Sequence, residues 1–221
     1  MIRERGSLFL KDSAGIYRVP EFGRLPWLVH GFGTRSANLP PSLTTLKQVH
    51  STTCVFAAGR TGQLGQGDAL LENTPGCPVA VKTADCLPIL LVDEQNRAVA
   101  AVHAGWRGTV GQIVLHSVDA MRRQFGSKPA ELCAAIGPGI GVCCYEVGPE
   151  VAQHFGKQGR THVDLTEANR EQLRDAGLAA NRIYSAGLCT KCLADEFHSY
   201  RRDKEAAGRM YSFAGIAQAV K

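Results

Sequence analysis

The sequence predicts a mixed α/β fold, of the α+β kind, and three observations carry that expectation. Short apolar runs of strand length recur at 79–83, 89–92, 98–103, 132–136 and 183–186. Stretches with helical spacing are interleaved with them. The runs on either side of residues 93–96 are joined by a turn too short for a helical crossover, so at least one strand pair is a hairpin and the sheet is not strictly parallel.

Residues 1–30 carry mixed signals, and 35–45, with Asn38, Pro40 and Pro41, read as a loop. Leu46 to Ala57 reads as a strand with His50 near its start. Val79 to Val92 reads as two strands around a break at Thr83–Pro88. Pro88 cannot donate to a central ladder and is expected at a strand's first residue or at a bulge. Asp93–Asn96 is the hairpin turn. After GWRG (105–108), Ile113, Val114, Val118, Met121 and Phe125 space out a helix that Gly126 stops. Leu132 to Ile136 is a strand, and helical patterns recur near Pro149–Phe155 and Thr166–Ala176. Ile183 to Ala186 and Tyr211 to Ala214 are short strands, separated by a polar, arginine-rich stretch.

With 221 residues and no linker, repeat or low-complexity segment, one domain over 1–221 is expected. Its 44% hydrophobic and 20% charged content rules out a disordered chain. The net charge is +5, but the basic residues are scattered apart from the pairs Arg122-Arg123 and Arg201-Arg202. A nucleic-acid binder concentrates its charge in a stripe, so a small anionic substrate explains the excess better. The N-terminal MIRERGS lacks a secretion-type apolar run, and no apolar stretch is long enough to span a membrane. A cytoplasmic protein with no membrane partner is expected. Its eight cysteines are then reduced thiols, free to pack or to bind metal.

Three segments pair a reactive side chain with tight backbone chemistry: KQVHS (47–51), KTADCLP (82–88) and AVHAGWRG (101–108). His50, Cys86 and His103 each sit near the end of an apolar run, where a sheet fixes a side chain and a loop leaves it accessible. Two imidazoles and one thiolate suit zinc with an open fourth position; copper would also accept them. A metal-free alternative uses the same residues, with Cys86 as nucleophile, His103 as base and Asp85 as the orienting carboxylate. Arg107, just ahead of a helix, and Arg201 or Arg202 in SYRRD are candidate anion contacts, set against a tight glycine turn and a solvated surface turn. GPGIG (137–141) resembles a phosphate loop only loosely. CTKC (189–192) lacks a partner pair at zinc-ribbon spacing, and Cys143-Cys144 reads as packing and turn geometry. No two of the seven histidines are two residues apart, which argues against a multicopper oxidase cluster. The signature of cytidine-deaminase zinc sites is also missing.

Together KQVHS, GDALLENTPG (67–76), KTADCLPILLVD (82–93), AAVHAGWRGT (100–109), IGPGIGVCCYEVGPEV (136–151), CTKC and FHSYRRD (197–203) resemble, in order, the YfiH-like family. That family is variously described as polyphenol oxidoreductase (laccase), peptidoglycan editing factor and purine nucleoside phosphorylase. The resemblance implies a layered sandwich of mixed β-sheets flanked by helices. It implies zinc, or copper, on His50, Cys86 and His103. The implied reaction is phosphorolysis of adenosine, inosine and methylthioadenosine, with adenosine deamination as a second activity and a nucleoside and phosphate as partners. Arg107, Arg35 and Arg201 are the implied substrate contacts. The alternative within the same resemblance is a Cys86-dependent amidase acting on peptidoglycan precursors. Two departures stand out. The region between Gly31 and Leu46 is short, leaving only TRSANL (34–39) of a longer family segment, and Gly139 stands where a cysteine is common.

Overall fold

The computed structural model describes residues 9–218. The N-terminal stretch read above for a secretion signal lies outside them. In chain order the strands are β1 (Leu10–Lys11), β2 (Ile16–Arg18), β3 (Leu28–Gly33), β4 (Thr45–Lys47), β5 (Cys54–Phe56), β6 (Gln63–Gln66), β7 (Ala69–Glu72), β8 (Val79–Thr83), β9 (Leu87–Asp93), β10 (Ala98–Ala104), β11 (Leu132–Ile136), β12 (Glu146–Val147), β13 (Thr161–His162), β14 (Ile183–Ser185) and β15 (Met210–Ile216). The α-helices are α1 (Trp106–Val110), α2 (Ile113–Phe125), α3 (Pro149–Ala152), α4 (Leu165–Asp175) and α5 (Tyr200–Asp203). Among the described residues no helix is long and apolar enough to cross a membrane.

Two sheets dominate. A five-stranded sheet runs β1-β2-β3-β15-β8, antiparallel at every pairing. A six-stranded sheet runs β14-β11-β9-β10-β7-β5. Its centre is antiparallel and both edge pairings, β11–β14 and β5–β7, are parallel. This is the expected mixed α/β sandwich.

The period of two along a strand explains the layering. On β9 and β10, Leu87, Ile89, Leu91, Ala100 and Val102 face one way, into a core with Ile113, Val118 and Met121 of α2 and Leu173 of α4. Leu90, Val92, Val99 and Ala101 face the other way, against Val79, Val81 and Ala214 of the five-stranded sheet. Both strands are buried along their whole length. That is why they read as continuous apolar runs rather than alternating ones. Burying each leucine or isoleucine side chain contributes about 1.5–3 kcal/mol. The outer face of the five-stranded sheet is covered by Ala37, Leu39 and Leu43 of the loop after β3, packed near Phe213.

The hairpin turn is held by Asp93, whose carboxylate accepts from the Gln95 and Asn96 amides at 2.9 and 3.0 Å. Pro88 stands second in β9 rather than first. The ladder to β11 starts only at Ile89, so the missing N–H breaks no pairing there. The helix after GWRG is interrupted: Gln112, at φ 63°, separates α1 from α2, and Gly126, at φ 72°, ends α2 as expected.

One expectation is corrected. Leu46 to Ala57 is not one strand but β4 and β5, divided by a loop over residues 48–53. The cause is Asp68, fully buried, whose carboxylate accepts from the amides of Val49, His50 and Ser51 at 3.3, 3.0 and 2.6 Å, and from the Ser51 hydroxyl at 2.7 Å. These bonds hold the chain in a turn with His50 in the left-handed region at φ 59°, which no strand residue adopts.

Candidate active site

The loop that divides β4 from β5 also delivers His50 to the ends of β9 and β10. Gln48 locks that loop to β8 through a paired amide contact. Its Nε2 donates to the Lys82 carbonyl at 2.7 Å and its Oε1 accepts from the Lys82 amide at 2.8 Å. His103 is the penultimate residue of β10, paired in register with Pro88 of β9, and Cys86 sits immediately before β9. One ligand atom from each of His50, Cys86 and His103 lies within 4.8 Å of the others. The Cys86 Sγ is 3.9 Å from His50 Nε2, and the two imidazoles meet edge to face at 4.9 Å between centroids.

Asp68 sets the orientation of His103. Its carboxylate lies 2.8 Å from His103 Nδ1, and its own carbonyl accepts from the His103 amide at 2.7 Å. With Nδ1 occupied, Nε2 is the nitrogen left for a ligand or a proton. Burial works against charge on all three groups, and their mutual contacts outweigh it. Burial pushes the Cys86 thiol up, yet hydrogen bonding to His103 and His50 draws it down to about 6. Burial likewise disfavours the His103 imidazolium, yet Asp68 and then Cys86 raise it to about 9. Asp68, desolvated but bonded to His103 and Ser51, falls to about 2. Each of these contacts favours the charged form of its partner.

Gly105 is glycine for steric reasons. A Cβ there would stand 2.9 Å from Cys86 Sγ and 3.1 Å from His50 Cδ2. This explains the GWRG turn without any anion. Gly137 and Gly139 of GPGIG are constrained the same way. Added Cβ atoms would meet the Phe32 ring at 2.1 Å and the Leu87 side chain at 2.4 Å. A cysteine at 139 would collide with Leu87 in this chain.

The trio opens into a cavity of about 660 Å³. Among the described residues five cationic side chains line it, Lys47, Lys82, Arg201, Lys204 and Arg209, with Asp85 as the one carboxylate. Trp106, Ile140, Tyr145 and Tyr200 supply apolar surface. The Arg201 guanidinium lies 5.3 Å from the Tyr145 ring and donates to the Glu146 carbonyl at 2.7 Å. Burial pushes the Tyr145 phenol up to about 12, so it stays protonated.

The other sequence candidates fall in different places. Arg107 stacks on the Trp106 ring at 4.3 Å and is not among the cavity-lining residues. Arg35 donates to the Ala194 carbonyl at 2.8 Å and its amide to Glu196 at 2.8 Å, tying down the turn before α5. No residue of the shortened 31–45 region lines the cavity. Asp85 does not orient a histidine. At φ 89° its carboxylate turns to the Thr190 hydroxyl and the Arg201 amide, both at 2.6 Å, and Asp68 has the orienting position instead. Sequence reasoning missed Asp68 and the ring of lysines. An acid opening an apolar strand, as in GDALL, was the available signal for Asp68.

The donor set suits a metal. Two imidazole nitrogens and one thiolate converge, and the imidazole on β10 is backed by a buried carboxylate, as ligating histidines usually are. Fold and site together define a mixed-sheet protein with a histidine–cysteine–histidine centre under a cationic cavity. Over residues 33–217 the chain matches the family described as multi-copper polyphenol oxidoreductase laccase. It belongs to that YfiH-like family. It is 40% identical over 181 residues, 77% of its length, to the purine nucleoside phosphorylase of Deinococcus radiodurans, covering 69% of that protein. It is 42% identical to adenosine deaminase RL5 from an unknown prokaryotic organism, over 67% of this chain and 61% of RL5. The crystal structure of Bacillus licheniformis hypothetical protein YfiH superposes with a TM-score of 0.84 at 27% identity, covering 94% of this chain and 98% of that one.

Proposed function

We propose that this protein is a metal-dependent purine nucleoside phosphorylase with adenosine deaminase activity as a second reaction, and that His50, Cys86 and His103 hold the metal. The observation that carries the reading is the position of the trio in a cavity lined by five cations. Phosphorolysis needs a site for a divalent anion beside one for an uncharged heterocycle, and this cavity has both kinds of surface. The names of the two relatives support the same pair of activities. In the reaction a phosphate oxygen bonds to the sugar's anomeric carbon, the bond to the base breaks, and the base leaves with a proton.

The chain's residues divide that work. Arg201, Lys82 and their neighbours bind and neutralise phosphate. Trp106, Ile140, Tyr145 and Tyr200 hold the base and exclude water. Asp68 keeps the His103 ring in one orientation. Zinc, or copper, held by His50, Cys86 and His103 would supply Lewis-acid polarisation of a substrate oxygen.

A second reading is favoured by one observation, the Cys86 Sγ placed between two imidazoles, 3.9 Å from His50 Nε2, contacts that lower its pKa. A thiolate of that kind can act as a nucleophile, as an amidase on peptidoglycan precursors requires. Phenol oxidation by a multicopper cluster is not proposed, because no two of the seven histidines lie two residues apart.

Base release from adenosine, followed by chromatography with and without phosphate, separates the readings. Adenine formed only with phosphate, and lost in His103→Ala, is the expected result. Inosine alone would leave deamination. No turnover by metal-loaded protein would sink the nucleoside reading and direct attention to cell-wall precursors.

A further inference from the structure

A second group of metal-binding side chains converges away from the trio. Cys143 and Cys144 lie in the loop after β11, and Cys189 and Cys192 in the turn after β14. The sequence gives no second Cys-x-x-Cys because the partner of CTKC is a vicinal pair. The four Sγ atoms all lie within 4.8 Å of one another. Cys192 Sγ is 3.4 Å from Cys144 Sγ and 3.6 Å from Cys143 Sγ. All four are free thiols, at separations far beyond the ~2.05 Å of a disulfide. A tetrahedron with Zn–S bonds of ~2.3 Å has sulfur–sulfur edges of roughly 3.8 Å. The two closest contacts from Cys192 fall just short of that length, and the remaining separations stay within 4.8 Å.

The backbone is shaped to the same end. The Gly141 amide donates to Cys189 Sγ at 3.3 Å, the kind of bond that stabilises a thiolate. A Cβ on Gly141 would crowd Cys143 Sγ and Cys189 Cβ, each at 3.3 Å. The two loops are already paired through a parallel bridge between Gly139 and Cys189, with the Thr190 amide donating to the Gly139 carbonyl at 2.9 Å.

We propose that Cys143, Cys144, Cys189 and Cys192 form a structural zinc site, separate from the His50–Cys86–His103 centre. Zinc binding releases the four thiol protons and leaves a closed tetrathiolate with no position for substrate. Its consequence is local. One clasped loop carries Ile140 and Tyr145 into the cavity wall. The other carries Thr190, which holds Asp85 beside Cys86. The ion therefore fixes the wall of the cavity without touching its contents. The proposal does not depend on which reaction the cavity performs.

The test is metal content, measured by mass spectrometry on full-length protein purified under reducing conditions. About two zinc ions per chain are expected in the unmutated protein, and about one in each of two variants, His50→Ala/Cys86→Ser/His103→Ala and Cys143→Ser/Cys192→Ser. The second variant can fail to fold, so cobalt titration of the first supplies a readout that leaves the four cysteines intact. Intense visible ligand-field bands and a thiolate-to-cobalt charge-transfer band, bleached by added zinc, are the expected signature. Their absence there, or saturation of the unmutated protein at one ion per chain that the His50→Ala/Cys86→Ser/His103→Ala variant no longer binds, overturns the proposal. Recovery of a disulfide among the four cysteines from protein handled without air overturns it too. Loss of metal only on mutating His50, Cys86 and His103 would leave the active-site reading standing and remove this one.

Discussion

His103 owes its direction to a single buried carboxylate, which makes Asp68 a positioning residue. Asp68→Asn keeps the volume and one acceptor but removes the charge that holds Nδ1. The expected outcome is metal affinity lower by about 10–100-fold, with kcat falling more than KM. Metal titration and steady-state kinetics read the two effects separately; a fall in thermal stability alone, with metal affinity unchanged, would make Asp68 merely a support for the 48–53 loop. His30, which does not line the cavity, gives a pH prediction of definite sign. Burial first, and then the Arg18 guanidinium, lower its imidazole to about 4, and its neutral Nε2 accepts from the Val19 amide at 3.0 Å. The folded state therefore resists a proton that the unfolded state takes up near 6.5. Stability is fully present above that value and is lost as pH falls through the folded-state value. Relative to His30→Gln, the unmutated protein should lose about 2 kcal/mol between about pH 7 and pH 5 in urea unfolding. An unchanged difference between the two proteins would mean that His30 is not held neutral.

At the scale of elements, the site depends on close approach between the end of β10 and two loops, and Gly105 sits where all three meet. Gly105→Ala places a methyl group against Cys86 Sγ and His50 at once. Its φ is ordinary for alanine, at −75°, so the backbone itself is not strained. Activity should fall by about 100-fold with little change in the unfolding midpoint, because the displacement is confined to the ligands. Kinetics and thermal melts on one preparation check this; full activity in the variant would show that the trio does not need its present spacing. The same elements explain what could be read from sequence. The β9–β10 hairpin, α2, β11 and α4 were legible because buried strands and amphipathic helices write their period directly into the chain. The division of 46–57 was not legible, since the cause lies in Asp68, distant in sequence but bonded to three amides of the loop. His50, Cys86 and His103 were found through their flanking motifs. The cationic cavity was missed because its lysines and arginines come from separate segments, and only the folded sheets assemble them.

The molecule as a whole is two apolar layers sharing one central pair of strands. Leu91 packs toward the helices and its neighbour Leu90 toward the five-stranded sheet. β9 and β10 cannot leave one core without leaving the other, so the two layers should unfold together, as the expectation of a single domain requires. The two tryptophans allow this to be tested, because Trp106 packs against the helix-side core and Trp27 against the sheet-side core. Trp27→Phe and Trp106→Phe each leave one fluorescent reporter. Their urea transitions should share one midpoint once the substitutions' own effects on stability are measured by circular dichroism. Leu90→Ala and Leu91→Ala should each cost about 2–5 kcal/mol, and each should move both reporters equally, although the cavities form on opposite faces of the sheet. A Leu91→Ala protein in which the Trp106 signal is lost well before the Trp27 signal would show instead that the helical layer opens on its own. The cavity wall carried by the helix side would then be a unit that can loosen while the five-stranded sheet persists.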